Sequence, residues 1–301
     1  MTKIIEGPLR KPAQMLAEQS YDGHSSIHDD KEAERLGIAA GPIEGPTHFS
    51  QFTPYLVDLF GKAWFERGCF STHFLNMVVE GEAVKVIIEP RSETHAYCRA
   101  VKEDGTPVLE ASATLEPDHG ETLLRARMAN LRPAGDLVIL ENMRVGLTSD
   151  QDEIVRMDPD QHMGNLYPFS LNEKLKKITE PMDWYSDADA SPWGKAIVPT
   201  EMVSVLGNYT GGMTKWPIKK PSIGLFADLE IRMIDGPLFV GETYRLKREV
   251  VALSQSRRVE NYWVETSFFD ESGKTLKAKM LLNHAILKAS YPDYPADRLP
   301  G

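Results

Sequence analysis

Gly41-Pro-Ile-Glu-Gly-Pro46 runs directly into Thr47-His-Phe-Ser-Gln-Phe-Thr-Pro-Tyr-Leu-Val-Asp-Leu-Phe-Gly61, and this junction decides the fold. The first six residues are turn formers. The stretch after them is helical in pattern: Phe49, Phe52, Leu56, Leu59 and Phe60 recur at spacings of three and four. Its apolar load is high on every side, which predicts a buried helix. Pro54 lies inside the pattern and predicts a kink or a late start.

Strand patterns follow the helix. Phe70 to Val79 is one segment, and Ala83 to Ile88 places Val84, Val86 and Ile88 on one face. Thr94 to Val101 and Pro107 to Leu115 flank Asp104-Gly105, a hairpin turn signature. Upstream, Tyr21-Asp-Gly-His-Ser-Ser-Ile-His28 reads as a polar loop. A short helix follows it, with Asp29 as N-cap, Glu32 three residues on and Gly37 as the stop.

The same order then returns. Ser186-Asp-Ala-Asp-Ala-Ser-Pro-Trp-Gly194 is a second polar loop, and Ala196-Ile-Val-Pro199 repeats the turn before the helix. Thr200 to Leu206 is the second helical stretch. Leu225 to Ile234, Thr243 to Val251, Arg258 to Phe269 and Leu276 to Leu287 are strand-like. Val240-Gly241-Glu242 echoes Glu80-Gly81-Glu82, and Ser272-Gly273 stands where Asp104-Gly105 stood. Such duplication is more informative than any single short motif. It divides the 301 residues into units 1–145 and 146–301, predicted to share one sheet. Residues 146–182 carry no clear pattern apart from the turn at Asp158-Pro159-Asp160.

Composition sets the outer limits. Hydrophobic residues make up 42% and charged residues 26%, which excludes a disordered or fibrous chain. Lys and Arg number 34 against 44 Asp and Glu, a net charge of −10. An acidic chain without a long basic run is not expected to bind nucleic acid. Two cysteines, Cys69 and Cys98, cannot build a disulfide framework and suit reduced thiols in the cytoplasm. No apolar run reaches signal-peptide or membrane-spanning length, so no membrane association is expected.

The order of loop, turn, helix and strands resembles the hotdog fold, an α+β architecture with a long central helix wrapped by antiparallel sheet. Two copies in one chain make a double hotdog. More narrowly, the chain resembles the MaoC-like dehydratases and R-specific enoyl-CoA hydratases. The likeness is carried by Asp22…Ile27-His28-Asp29, Gly41-Pro-Ile-Glu-Gly45 and Glu80-Gly81-Glu82, over roughly residues 15–116 and 180–290. In that family the loop's Asp and His hold and activate a water. The resemblance therefore implies Asp22 and His28 as the catalytic pair, with no cofactor. Here Asp22 lies six residues before His28, Gly23 falls at the expected Asp position and Ser25 where Asn is usual. Glu44 replaces a histidine before Gly45, and His48 follows three residues later. In the second half Asp187 precedes Trp193 by the same six residues, so the histidine is lost there. The resemblance implies a catalytic first unit and an acyl-binding or structural second one.

Chemically, hydration of an enoyl thioester needs a base for water, an acid for the α-carbon and donors to the developing enolate oxygen. A His beside a carboxylate supplies the base. Backbone N–H groups of Gly45 to Thr47, at the helix start, supply the donors. Each residue also has a plain structural reading. Asp22 can close an Asx-turn, His28 can pack on the short helix, and Asp29 reads better as a cap than as an acid. Glu44 is either a base or a favourable charge at a helix N-terminus. His48 is either a second site histidine or core, and Trp193 is the aromatic chosen as pocket-lining. His24 and His28 have the i, i+4 spacing of helical metal ligands, but their Gly-Ser context is not helical and no third ligand is evident, so no metal is expected. The sequence has neither a Gly-Lys-Ser/Thr phosphate loop nor a Gly-x-Ser-x-Gly elbow. Hydratase/dehydratase action on an acyl-CoA-type thioester leads. Thioester hydrolysis by Glu44 or His48, and non-catalytic binding of an acyl group or other small molecule, are the alternatives. The expected partner is a small molecule such as a CoA thioester, and a homodimer is the oligomer the resemblance allows.

Overall fold

The computed structural model describes residues 3–21, 24–117, 121–149 and 153–299. In the first half the elements are β1 (Ile5–Glu6), β2 (Ser20–Tyr21), β3 (His24–Ser25), α1 (Asp30–Arg35), α2 (Phe49–Phe60), α3 (Ala63–Arg67), β4 (Gly68–Phe74), β5 (Val84–Ser92), β6 (His95–Lys102) and β7 (Pro107–Leu115). Helix α4 (Leu123–Ala129) leads to β8 (Glu153–Arg156), α5 (Leu171–Leu175) and α6 (Thr200–Asn208). Strands β9 (Gly224–Met233), β10 (Thr243–Gln255), β11 (Val259–Asp270) and β12 (Leu276–Leu287) complete the second half.

Ten strands form one antiparallel sheet in the order β1-β5-β6-β7-β4-β9-β12-β11-β10-β8. The halves join where β4 pairs with β9, from Cys69 opposite Arg232 to His73 opposite Asp228. A continuous hydrogen-bonded sheet couples the halves through backbone as well as side chains. The turns before β5 and β10 are built alike: Gly81 (φ +93°) and Gly241 (φ +76°) occupy the left-handed region that favours glycine. The bridges Pro42 to Val79 and Ile197 to Phe239 also correspond. They set Glu44 of the first half against Pro199 of the second.

Helix α2 begins after a 3₁₀ turn over Gly45–His48 and runs through Pro54. The ring removes the amide that would bond the Ser50 carbonyl. Phe49, Phe52, Leu56 and Phe60 are buried against the sheet. Phe49 meets Phe70 edge-on at 4.9 Å, and Phe52 lies 5.2 Å from the same ring. Full burial of each such ring contributes about 1.5–3 kcal/mol. Strand β4 starts earlier than the sequence pattern suggests and stops at Phe74. The Leu75 amide still donates to the Val108 carbonyl (2.8 Å), and the side chains of Leu75 and Met77 remain exposed.

The link between halves is also anchored. Thr122 donates to Glu230 (2.6 Å), and the first amides of α4 donate to Ser112 (3.0 Å) and Ser71 (2.9 Å). Farther on, the amides of Val138, Ile139 and Leu140 all donate to the Glu260 carboxylate. Ile139, Leu140 and Met143 pack with Val250, Tyr262 and Val264. The chain has thus joined the second half's core before residue 145. Among the described residues no helix is long and apolar enough to cross a membrane.

Candidate active site

A cavity of about 630 Å³ opens between the halves. From the first half it is lined by Ile27, His28, Glu44, Gly45, His48 and Phe74, among others. From the second half it takes Tyr167, Asn208, Arg248, Tyr262, Thr266 and His284.

His28 precedes α1, whose N-cap is Asp29: its carboxylate accepts from the Glu32 amide at 2.9 Å. Ser26 accepts from the His28 amide (3.1 Å). The imidazole Nδ1 lies 2.6 Å from the Pro42 carbonyl oxygen. A carbonyl only accepts, so Nδ1 carries the hydrogen and Nε2 keeps its lone pair. Gln14 donates to the same carbonyl (2.7 Å), which fixes the turn on which His28 rests. Burial pushes the His28 pKa down to about 4, against a smaller opposing effect of the Pro42 bond. The ring is therefore neutral at pH 7.

The turn after Pro42 brings Glu44, Gly45 and His48 to the cavity. Glu44 and His48 are buried. Glu44 Oε1 and His48 Nδ1 have no hydrogen-bond partner among the described residues. Burial raises the Glu44 pKa, opposed by Lys174. Burial, helped by Lys174, pushes His48 down to about 4. No hydrogen bond of the Gly45 amide is found among the described residues, Pro46 has no N–H, and the Thr47 amide donates to the Glu44 carbonyl (3.1 Å). The proposed donor set of Gly45 to Thr47 thus narrows to Gly45. Thr47 instead accepts a hydrogen bond from Lys174 through its hydroxyl (2.7 Å) and does not line the cavity.

Lys174 is the residue that sequence reading missed most completely. It is 2% exposed and lies 3.5 Å from Glu44 and 3.9 Å from Glu201. Its helix α5 starts with a capping box, Ser170 and Glu173, within the stretch 146–182 that showed no pattern. The Ser-x-x-Glu spacing is the signal that locates it. Glu201 follows the first residue of α6, and neither of its oxygens meets hydrogen-bond geometry. Nearby Ser50 donates instead to the Thr47 carbonyl (2.9 Å). Burial pushes Glu201 up to about 7, with Lys174 opposing.

Two other sequence candidates lie elsewhere. Trp193 packs edge-on against Phe65 and Trp184 and donates to Glu66 (3.1 Å); it does not line this cavity. Asp22 lies outside the described residues, and of His24 only the backbone, in β3, is described. Among the described residues no group of three or more His, Cys, Asp or Glu is arranged to hold a metal.

These groups set a pH dependence of stability. His28, His48 and His284 are pushed down to about 4, about 4 and about 3, chiefly by burial, and His95 is lowered as well. Unfolded histidine titrates near ~6.5. As pH falls below that value the unfolded chain binds protons that the folded chain refuses, and stability drops. Glu201 and Glu44, both raised, act oppositely: their contribution is present at low pH and is lost as pH rises through the folded value. Between pH ~6.5 and ~4.5 the histidines outnumber the carboxyls, so acid still destabilises. Stability is expected to rise from pH 5 to about 7 and to level off above it. Chemical denaturation from pH 5 to 8 checks it. Glu201→Gln should steepen the rise between pH 5 and 7, and a native chain equally stable at pH 5 and pH 7 contradicts the assignment.

No protein-family model matches the sequence, and no curated protein matches it. Solved structures do match its fold. A MaoC domain protein dehydratase from Chloroflexus aurantiacus is 14% identical, with TM-score 0.57, covering 95% of this chain and 94% of that one. A MaoC-like dehydratase is 11% identical, with TM-score 0.53 and coverages of 94% and 97%. A Mycobacterium tuberculosis protein described as having a double hotdog fold is 11% identical, with TM-score 0.52 and coverages of 95% and 96%. At such identities the likeness establishes the fold: this chain is a double hotdog.

Proposed function

We propose that the chain is a hydro-lyase that adds or removes water across the double bond of an enoyl thioester, an acyl-CoA-type substrate. The observation that carries this reading is the His28 tautomer. Its Nδ1–H is committed to Pro42, so Nε2 is a fixed acceptor in a cavity shared with Glu44 and the Gly45 amide. In hydration, Nε2 takes a proton from water as the water oxygen bonds to C3. The π electrons move onto C2 and the thioester oxygen. The Gly45 amide donates to that oxygen, a stabilisation that costs no reorganisation during reaction. In this reading Glu44, whose Oε1 has no hydrogen-bond partner among the described residues, is the acid that gives C2 its proton; burial raises its pKa and Lys174 opposes that rise. Asp22 is the carboxylate that the family resemblance pairs with His28.

The test is a panel of 2-enoyl-CoA esters of increasing chain length, followed by loss of the conjugated absorption and by a thiol reagent. Loss of absorption without free thiol supports hydration. Release of free CoA would make the protein a thioesterase, and binding without either signal would make it a carrier; each overturns the proposal.

The same geometry predicts a strict requirement at Gly41. A Cβ there would stand 2.2 Å from the His28 carbonyl oxygen, and both atoms are held by backbone. Gly41→Ala must therefore push the His28 segment off the Pro42 carbonyl. Displacing a catalytic group by an ångström costs about 10²-fold, and the clash itself about 1–3 kcal/mol. Rates together with urea midpoints check this. Wild-type turnover in Gly41→Ala would show that the position of His28 does not matter.

A further inference from the structure

The cavity wall built by the second half is not the wall that an unbranched alkyl chain needs. Along β12, Met280, Leu282, His284 and Ile286 all line the cavity. Three are apolar and one is an imidazole. His284 stacks on Tyr262, ring centroids 4.5 Å apart and planes 6° from parallel. Phe226 meets its edge at 5.8 Å and 89°. The ring is thus clamped, yet neither nitrogen makes a hydrogen bond among the described residues. Its charge state is also set. Arg248 is held by Glu153 through two 2.8 Å bonds and donates to Thr266 at 3.2 Å. Burial and that nearby cation keep His284 neutral. A neutral imidazole offers one donor and one acceptor, which suits an uncharged oxygen substituent rather than a carboxylate or an ammonium. Water can satisfy the ring when no acyl group is bound. An alkyl chain would displace that water and leave the ring unsatisfied, and sites with a stranded polar group discriminate strongly against such ligands.

We propose that the cavity accepts an acyl group bearing a hydroxyl or oxo group beyond C3, held by His284. The inference deepens the enoyl-thioester reading and rests on it for the thioester. Its test is binding, measured by calorimetry with saturated thioesters that cannot react. A positional series of hydroxy- and oxo-acyl-CoA esters of one chain length is compared with the unsubstituted ester. At least one position should bind about ten-fold or more tighter than the parent. His284→Phe keeps the stack on Tyr262 and removes both nitrogens. It should bring that ratio close to one while leaving the parent ester bound as well or better. A merely structural role would weaken both ligands alike. No preferred position, a preference that survives His284→Phe, or no binding by any ester overturns the inference. A His284-dependent preference without turnover of the matching enoyl ester leaves the inference standing and removes the hydro-lyase reading instead.

Discussion

For the proposed hydration of an enoyl thioester, His28→Gln is expected to lower kcat by about 10²- to 10⁴-fold, the range that a positioned acid or base contributes. KM changes much less, because the lost group acts on water rather than on the acyl chain. The fold tolerates the change: one hydrogen bond to Pro42 is at stake, worth about 0.5–1.5 kcal/mol. Stopped-flow rates and thermal midpoints of the same preparations separate the two effects. The pH profile carries a second signature. A base must be unprotonated, and burial pushes His28 down to about 4. The rate of the native chain is therefore expected to hold as pH falls from 7 to 5 and to drop only near pH 4. A profile that falls already near pH 6.5 would point to a solvated histidine, and full activity in His28→Gln would place the base elsewhere.

The regions that sequence reading resolved are those where local pattern and tertiary structure agree. Alternation in Val84, Val86 and Ile88 describes a strand with one buried face, and Phe49, Phe52 and Leu56 describe a buried helix; both are found in place. The Gly-Glu turns at Gly81 and Gly241 need their left-handed backbone, so they mark the repeat in both halves. The candidate site was less legible. Glu44 and His48 stood beside a helix start, which says nothing about burial or about what faces them. Lys174 comes from a five-residue helix whose partners Glu44 and Thr47 lie 130 and 127 positions away. No local period encodes such a contact. His284 follows an irregularity in β12 where burial does not alternate, whereas Arg248 did leave a trace, since it occupies an inward position of an alternating strand. A polar residue in that register marks either a paired charge or a ligand contact. Trp193 shows the opposite case: a bulky aromatic in a polar loop packs as well on its own neighbours as on a cavity.

Lys174→Met should unfold the protein more readily than any other single change at the site. The ammonium lies within 3.5 Å of Glu44 and 3.9 Å of Glu201, two carboxylates that are 5% and 1% exposed. Methionine fills much of the same volume, so cavity formation is a minor part of the cost. The major part is electrostatic. Two buried carboxylates lose their only close cation among the described residues, and breaking a buried ion pair from one side costs about 3–5 kcal/mol. The sign with pH follows from the same cause. Burial already raises both carboxyls, Glu201 to about 7. Without Lys174 they rise further, so the folded variant binds protons that the unfolded chain has released. The penalty is therefore largest near pH 8 and shrinks toward pH 6. Adding Glu44→Gln and Glu201→Gln to Lys174→Met should recover most of the loss, because an uncharged cluster needs no counter-ion. Urea denaturation at pH 6 and 8 reads all three effects. Equal losses at both pH values would mean that Lys174 acts through packing alone, and the cluster would then hold no proton that the cavity could use.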